Sequence, residues 1–492
     1  MSSTSTSRRE FIKLATTALG GAIVGGLLGG YAGAYSAPKP PVEVGFNPPY
    51  RPVKIPTPPP ISPGARIPVA ISKFNENTPE AFEAAVKNLV NTLGRDEFNR
   101  LVYGKTVLLK VNWVDPPLAS WSEDPPNAKV GRLASHTPPY LISAVAKAVR
   151  DAGARRVIIG ESSAFSTFSY AYEVLYLRGK EYLEIPKEVE ELKFVELADF
   201  NNQKQYLVDV PNPYAIYKVV MPTAIREADV IISLSRLKTH RMARITAGLK
   251  NLSVGGIPSS ASSPAAAKAG DWKKWQEFEK SFNDASYKDK KAIASDFIKT
   301  RLHGASSYHF PKLAGSVLPK ISKDEFINAV MPPEYAMYQG AEIADCLEVF
   351  GGIQLSIIAA EYGLEGEAPV FQPKSFPVDM KERLGSYMLI GSFDPVACDV
   401  VGARIIGWGP QEITSWPGIP GLHFCSMKGL GVMDPDQIEV RGLKETPVPA
   451  SSVDIPSAMF LRSPWDTVWW SDWWLPDLKK YGEPRILPGL EV

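Results

Sequence analysis

Five short aliphatic runs constrain this chain more than any other feature. Residues 67–72, 106–111, 156–161, 229–235 and 386–391 are rich in Val, Ile and Leu, and each is bounded by polar residues or glycine. A strand that is apolar on both sides needs cover on both sides, which is the situation inside a parallel sheet flanked by helices. Helical patterns lie between the runs. In 139–151, Leu141, Val145, Ala148 and Val149 recur at helical spacing, Pro139 sits in the first turn and Gly153 supplies a stop. Asp394-Pro395 opens a second helix over 396–406, with Asp394 as N-cap. The expected class is therefore α/β: a mostly parallel sheet with helices on both faces. At 492 residues and 45% hydrophobic the chain exceeds one ordinary compact unit, so two lobes are expected, 69–258 and 321–445.

Between them, 259–320 departs from the pattern: Ser/Ala-rich sequence is followed by a charged stretch over 271–299 that reads as exposed helix, a helical insertion. The segment 446–492 crowds Trp465, Trp469, Trp470, Trp473 and Trp474 into ten residues and reads as a C-terminal arm pinned to the body by its rings.

Charge and cysteine content exclude several functions. Lys and Arg number 54 against 53 Asp and Glu, a net charge of +1, which gives no basis for a nucleic-acid groove or a polybasic membrane surface. Cys346, Cys398 and Cys425 are far apart and form no Cys-x-x-Cys, so no structural zinc site and no intrinsic iron-sulfur cluster is expected. The chain also lacks a Gly-x-x-x-x-Gly-Lys-Ser/Thr phosphate loop, a Gly-x-Gly-x-x-Gly turn, a His-Glu-x-x-His pair and a Gly-x-Ser-x-Gly elbow.

The first residues carry an address. Ser7-Arg8-Arg9-Glu10-Phe11-Ile12-Lys13 precedes an apolar, glycine-rich run over 14–33, with small residues continuing to Ala37. This resembles a twin-arginine export signal. A membrane anchor needs about 20 strongly apolar residues, and here glycine and alanine dilute the segment. The resemblance implies export by the twin-arginine route to an extracytoplasmic or cell-surface location, with membrane contact only through an uncleaved signal. Loss of 1–37, which hold three basic residues and one acidic, takes the net charge from +1 to −1. Twin-arginine export of a folded chain makes a cofactor inserted before export a live expectation. Twelve prolines in 38–68 then favour an extended spacer.

What remains as chemistry stands after the fourth run. Leu237-Lys238-Thr239-His240, Thr246-Ala247-Gly248-Leu249-Lys250-Asn251 and Gly255-Gly256-Ile257-Pro258 follow the carboxyl end of a buried strand, where open α/β sheets place their ligands. Arg236, Lys238, His240 and Lys250 bring four cationic or protonatable groups, and the Gly255-Gly256 pair reads as a turn that would suit an anion or a cofactor. His136, ahead of the first clear helix, is the best second imidazole for a metal or for proton transfer. His309, in Tyr308-His309-Phe310, would fold over the site as a lid residue; His303 and His423 complete the histidines. Glu361, Glu365 and Glu367, around Gly363 and Gly366, read either as oxygen ligands or as a solvated loop ahead of Pro369.

Several of these segments together carry a family resemblance. Val107-Leu108-Leu109-Lys110-Val111-Asn112, the stretch from Ala152 to Ser162, the segment from Lys238-Thr239-His240 to Lys250-Asn251, and Ser392-Phe393-Asp394-Pro395-Val396-Ala397-Cys398-Asp399 resemble the family catalogued as domain of unknown function 362, over most of 69–445. Many relatives carry ferredoxin-like cysteine clusters, and this chain has none. A more distant similarity is to the nickel-pincer lactate racemase family, in which a histidine precedes the cofactor-bearing lysine by ten positions. His240 and Lys250 share that interval. It would make Lys250 the covalent or anion-binding lysine and His240 the ligand or base.

These readings converge on one expectation: an exported, metal- or cofactor-dependent enzyme acting on a small anionic molecule. His240 and Lys250 are its catalytic candidates, Lys110, Asn112, Lys238, Lys250, Gly255 and Gly256 its cofactor-binding candidates, and His136, His240 and Glu365 its metal candidates. A metal ion or a covalently held cofactor is the expected prosthetic group. The alternative is a non-catalytic surface protein, using the fold as scaffold and the proline-rich or tryptophan-rich segments for homo-oligomeric assembly.

Overall fold

The computed structural model describes residues 42–43, 65–113, 134–161, 189, 191–200, 203–214, 218–240, 243–257, 333–366, 375–416 and 418–461. The signal at 1–37, most of the proline-rich spacer, the insertion at 259–320 with His303 and His309, Glu367 and the tryptophans at 465–474 lie outside the described residues.

The strands are β1 (Val42–Glu43), β2 (Ile67–Phe74), β3 (Thr106–Lys110), β4 (Arg156–Glu161), β5 (Val195–Asp199), β6 (Gln205–Asp209), β7 (Lys218–Pro222), β8 (Val230–His240), β9 (Arg244–Thr246), β10 (Leu355–Gly366), β11 (Ser375–Asp379), β12 (Tyr387–Ser392), β13 (Ile438–Arg441) and β14 (Val448–Pro449). The helices are α1 (Pro79–Leu93), α2 (Arg95–Val102), α3 (Pro139–Asp151), α4 (Thr223–Glu227), α5 (Gly248–Gly256), α6 (Pro333–Phe350), α7 (Met380–Leu384), α8 (Pro395–Ile406), α9 (Pro410–Thr414) and α10 (Pro420–Met427).

Eleven strands form one sheet in the order β14-β13-β2-β12-β10-β8-β3-β4-β5, with β11 added to β10 and β9 to β8. Strands β13 and β2, β10 and β8, β8 and β3, β3 and β4, and β4 and β5 pair in parallel. Strand β12 runs antiparallel to both β2 and β10. The fold is thus α/β with a mixed, mostly parallel sheet, as the aliphatic runs predict. The segments 69–258 and 321–445 contribute strands to this same sheet, so the boundary between them divides the sequence and not the sheet. Among the described residues one large core runs from Val69 to Phe460, beside a small second cluster of Ala134 and Leu364. A separate small sheet pairs β6 with β7, with β1 beside β6.

Helices cover both faces. On one face, α1 packs against β2, β12 and α3. Thr78 caps α1 by accepting from the Ala81 amide at 3.3 Å, and Pro79 begins it. Its stripe of Phe82, Ala85, Val86, Leu89, Val90 and Leu93 is buried. Gly391 on β12 is what lets α1 approach, because a Cβ there would lie 2.8 Å from Leu89 Cδ2. On the other face, α5 and α8 lie against β8, β10 and each other. Asp394 caps α8 by accepting from the Ala397 amide at 2.9 Å, as its Asp-Pro opening indicates. Among the described residues, no helix is long and apolar enough to cross a membrane.

Two segments differ from expectation. Residues 361–366 are neither turn nor solvated loop: they end β10, and Glu361 is fully buried there. Gly255 and Gly256 do not form a turn but close α5. Both are glycine for contact reasons. A Cβ at 255 would lie 3.0 Å from Lys110 Nζ, and one at 256 would lie 2.8 Å from the Phe350 ring.

Candidate functional site

The parallel pairing of β3 with β8 aligns Lys110 with Ser233, so the side chains following both strands emerge at one carboxyl edge. Helix α5 returns over this edge, entered through β9. Lys110, Asn112, Glu161, Arg236, Lys238, His240, Lys250 and Asn251 are all buried here or on the elements that meet here. Sequence leads to this edge because β3, β4 and β8 all end in polar residues after aliphatic runs.

Lys110 Nζ is held by three acceptors: Glu161 Oε1 at 2.7 Å, the Val111 carbonyl at 2.6 Å and Asn251 Oδ1 at 3.4 Å. An ammonium has three protons, so these contacts account for all of them. Burial lowers the Lys110 pKa, and the Glu161 carboxylate pulls it back up. Lys110 is consequently an organising charge at the base of the cluster and not a free nucleophile. Glu161 uses its other oxygen to accept from the Trp113 amide at 2.6 Å.

Asn251 is the hub. Its Oδ1 accepts from Asn112 Nδ2 at 3.0 Å, while its Nδ2 donates to the Lys110 carbonyl and to Ser233 Oγ, both at 3.0 Å. Asn112 Oδ1 in turn accepts from Lys238 Nζ at 2.8 Å. Lys238 also donates to the Ser135 carbonyl at 2.8 Å, and Thr137 bonds the Asn112 amide and the Leu234 carbonyl through its hydroxyl. The segment 134–137 is thereby stitched to the ends of β3 and β8.

Arg236 extends the network. It pairs with Glu361 and donates from Nε to the His136 carbonyl. Burial lowers the arginine pKa and raises that of Glu361, and each partner's charge opposes the shift of the other. Removing one member would strand the charge of the other in an apolar interior. His136 enters this geometry through its backbone, whereas its ring is the part the sequence reading singled out.

His240, the last residue of β8, accepts the Ala243 amide at Nδ1 over 3.0 Å. That bond requires an unprotonated Nδ1, so the ring proton sits on Nε2 and the tautomer is fixed. The ten-residue interval to Lys250 spans the β8–β9 turn and the start of α5. Lys250 is buried one residue before the hub Asn251.

Glu365 stands apart from the cluster. Arg383 binds its two oxygens at 2.9 and 3.0 Å, and the Leu461 amide donates to one of them at 2.7 Å. No group of three or more His, Cys, Asp or Glu side chains among the described residues is arranged to hold a metal ion, so His136, His240 and Glu365 do not assemble into the expected centre. The cluster that is assembled holds lysines, an arginine, amides and an imidazole, with Lys110 paired to Glu161 and Arg236 to Glu361.

Glu161, Asn251 and Asp399 are the residues that sequence reasoning overlooked as site members. Asp399 on α8 reaches across to the first residues of α5, accepting from the Gly248 amide at 2.8 Å and from the Leu249 amide at 3.1 Å. It thus caps a helix that is not its own, replacing the side-chain cap that Ala247 cannot provide. Burial raises its pKa to about 7 against the lowering effect of those two amides. All three stand in the quoted motif segments, yet their side-chain partners are 17 to 151 residues distant.

A family model described as domain of unknown function (DUF362) matches residues 107–404, a span that contains every residue of this cluster. No curated protein sequence matches the chain.

Proposed function

The chain belongs to the domain of unknown function 362 family, and from that premise we propose that it is an exported protein that holds a small anionic molecule at the carboxyl edge of β3 and β8. One observation carries the reading: Lys238, Asn112 and Asn251 are joined in a buried network around Lys110, and Lys250, also buried, precedes Asn251 in α5. Buried polar groups on this scale are expensive to desolvate, and replacing such a network with hydrocarbon is often neutral or stabilising. The presence of such a network favours recognition over stability as its role. Lys238 and Lys250 supply charge for the anion, and His240 supplies a donor from Nε2. Lys110, Glu161 and Asn251 hold the donors in register. The enzymatic form of the proposal is acid or anion-stabilising chemistry on that molecule by His240 and Lys250.

Export rests on Ser7-Arg8-Arg9-Glu10-Phe11-Ile12-Lys13. Replacing both arginines by lysine should leave the precursor in the cytoplasm, and undiminished export of that variant overturns this part.

The ligand reading is tested by native mass spectrometry of protein purified from its host, beside Lys250→Met. The parent should carry an added small mass that denaturation removes or that stays covalently attached, and the variant should lack it while folding normally. An identical mass in both overturns the assignment of Lys250.

A further inference from the structure

The hairpin of β8 and β9 carries polar side chains that the ligand reading leaves unused. Strand β9 runs antiparallel to β8, and its register opposes Thr246 to Lys238, Ile245 to Thr239 and Arg244 to His240. Directly opposed residues of an antiparallel pair project to the same face, and successive residues alternate between faces. Lys238, His240, Arg244 and Thr246 therefore share one face of the hairpin, with Thr239 and Ile245 on the other. Lys238 joins that face to the network, donating to Asn112 Oδ1 and to the Ser135 carbonyl, both at 2.8 Å. Lys238, His240 and Thr246 are completely buried, and Arg244 is 2% exposed.

Two observations set Arg244 and Thr246 apart from ordinary packing. Arg244 has φ of 67°, in the left-handed region that favours glycine. Met459, the other described non-glycine residue with positive φ, lies on the surface. A buried side chain in this conformation persists where its surroundings impose it, and such residues cluster at ligand sites. The second observation is the Thr246 hydroxyl, which is buried and makes no hydrogen bond to any described residue. A buried hydroxyl in that state is a place for a group from outside the chain. The Trp408 ring backs the arginine, with the guanidinium carbon 5.8 Å from the ring centroid. A guanidinium over an aromatic ring engages it through its flat face and keeps its N–H edge for acceptors in its plane.

We infer that Arg244 and Thr246 complete the anion site and set its selectivity: the ligand presents a carboxylate or phosphate group whose two oxygens take the guanidinium fork of Arg244, with the Thr246 hydroxyl donating beside them. The inference rests on the anion reading of the cluster and narrows it. Lysines attract an anion as point charges, whereas a guanidinium matches a pair of oxygens on one group. A site of lysines alone would accept a spherical halide, and a site with Arg244 discriminates against it.

Calorimetric titration of the full chain with inorganic phosphate, acetate and chloride tests this, and the tighter of the first two tells phosphate from carboxylate. The parent should bind that oxyanion at least about tenfold more tightly than chloride. Arg244→Lys keeps the charge and loses the fork, so the oxyanion should weaken about tenfold or more while chloride changes less than about twofold. Thr246→Val keeps the shape and loses the hydroxyl, and should weaken the oxyanion about three- to tenfold. Arg244→Gly suits the left-handed backbone, so it should fold and lose the oxyanion, which holds the test if the lysine variant does not fold. Equal affinity of the parent for oxyanion and chloride, or undiminished oxyanion binding in Arg244→Lys, Arg244→Gly or Thr246→Val, overturns the inference. Oxyanion binding that Lys250→Met loses and Arg244→Lys keeps defeats the Arg244 assignment alone. A parent that binds none of the three defeats the anion reading together with it.

Discussion

Both faces of the sheet bury hydrocarbon, and one of them adds a polar cluster to it. Under α1, Leu89 seats on Gly391, Phe74 stacks edge-on to Phe82 with ring centroids 4.9 Å apart, and the interface is hydrocarbon. Under α5, the same kind of helix-on-sheet contact is made by Lys110, Asn112, Ser233 and Asn251, with Asp399 at the helix start. Apolar area removed from water stabilises at about 25 cal/mol per Å², so the α1 face is favourable simply by being covered. The α5 face buries Leu249, Leu252 and Val254 as well, and adds a polar cluster that is costly if any one partner is missing. The α1 side is built for stability. The α5 side is built for placement of charges.

Removing one partner from the polar side should give the largest loss. Lys110→Met removes the counter-charge that Lys110 gives the buried Glu161, and about 3–5 kcal/mol of unfolding free energy should disappear in denaturant titration. Adding Glu161→Gln to it should recover a large part of that loss. If the double variant is as unstable as the single, the ion pair is not what holds this side together.

Acidity should act next. Asp399 and Asp394, both buried, have pKa values raised to about 7 and about 6. A raised carboxyl pKa means the folded protein keeps protons that the unfolded chain has lost. Stability should therefore be greatest at the acid end of the window from about pH 4 to 7, decline as pH rises through it, and level above pH 7. Asp399→Asn should flatten the upper part of the curve, as measured by chemical unfolding at fixed pH steps.

The apolar side should respond more simply. Leu89→Ala opens a cavity above Gly391 and should cost about 3 kcal/mol at every pH, without altering any bound species. The smallest effect belongs to the periphery. Glu365→Gln weakens the pair with Arg383, whose side chain is 35% exposed, and should cost about 1 kcal/mol or less. A loss several times larger would place Glu365 among the charges of the site.

How much of this was legible in the sequence follows the same division. Strands β2, β3, β4 and β12 stand out as aliphatic runs because hydrocarbon burial is a local property of the chain. Strand β10 does not: Glu361, Tyr362 and Glu365 interrupt its pattern, and what makes Glu361 tolerable in a buried strand is Arg236, 125 residues away. The same distance hid the trans cap of Asp399 on α5. Lys110, Asn112, Lys238 and Lys250 were identifiable by type and by position at strand ends. The roles of Glu161 and Asn251 were not, since they depend on which strands become neighbours. The metal reading of His136, His240 and Glu365 came from residue type and sequence position, and the sheet places Glu365 with Arg383.

The most direct test of the central claim separates the two faces in one experiment: thermal unfolding of the parent, Leu89→Ala and Lys250→Met, each titrated with inorganic phosphate and with short-chain carboxylates. Binding at 100 times Kd stabilises by about 2.7 kcal/mol. The account predicts that at least one of these anions gives such an increment in the parent and, undiminished, in the less stable Leu89→Ala, while Lys250→Met melts close to the parent without anion and gains nothing from it. An increment that survives in Lys250→Met, or the absence of any increment in the parent, would contradict the claim that the charged face exists to hold an anion.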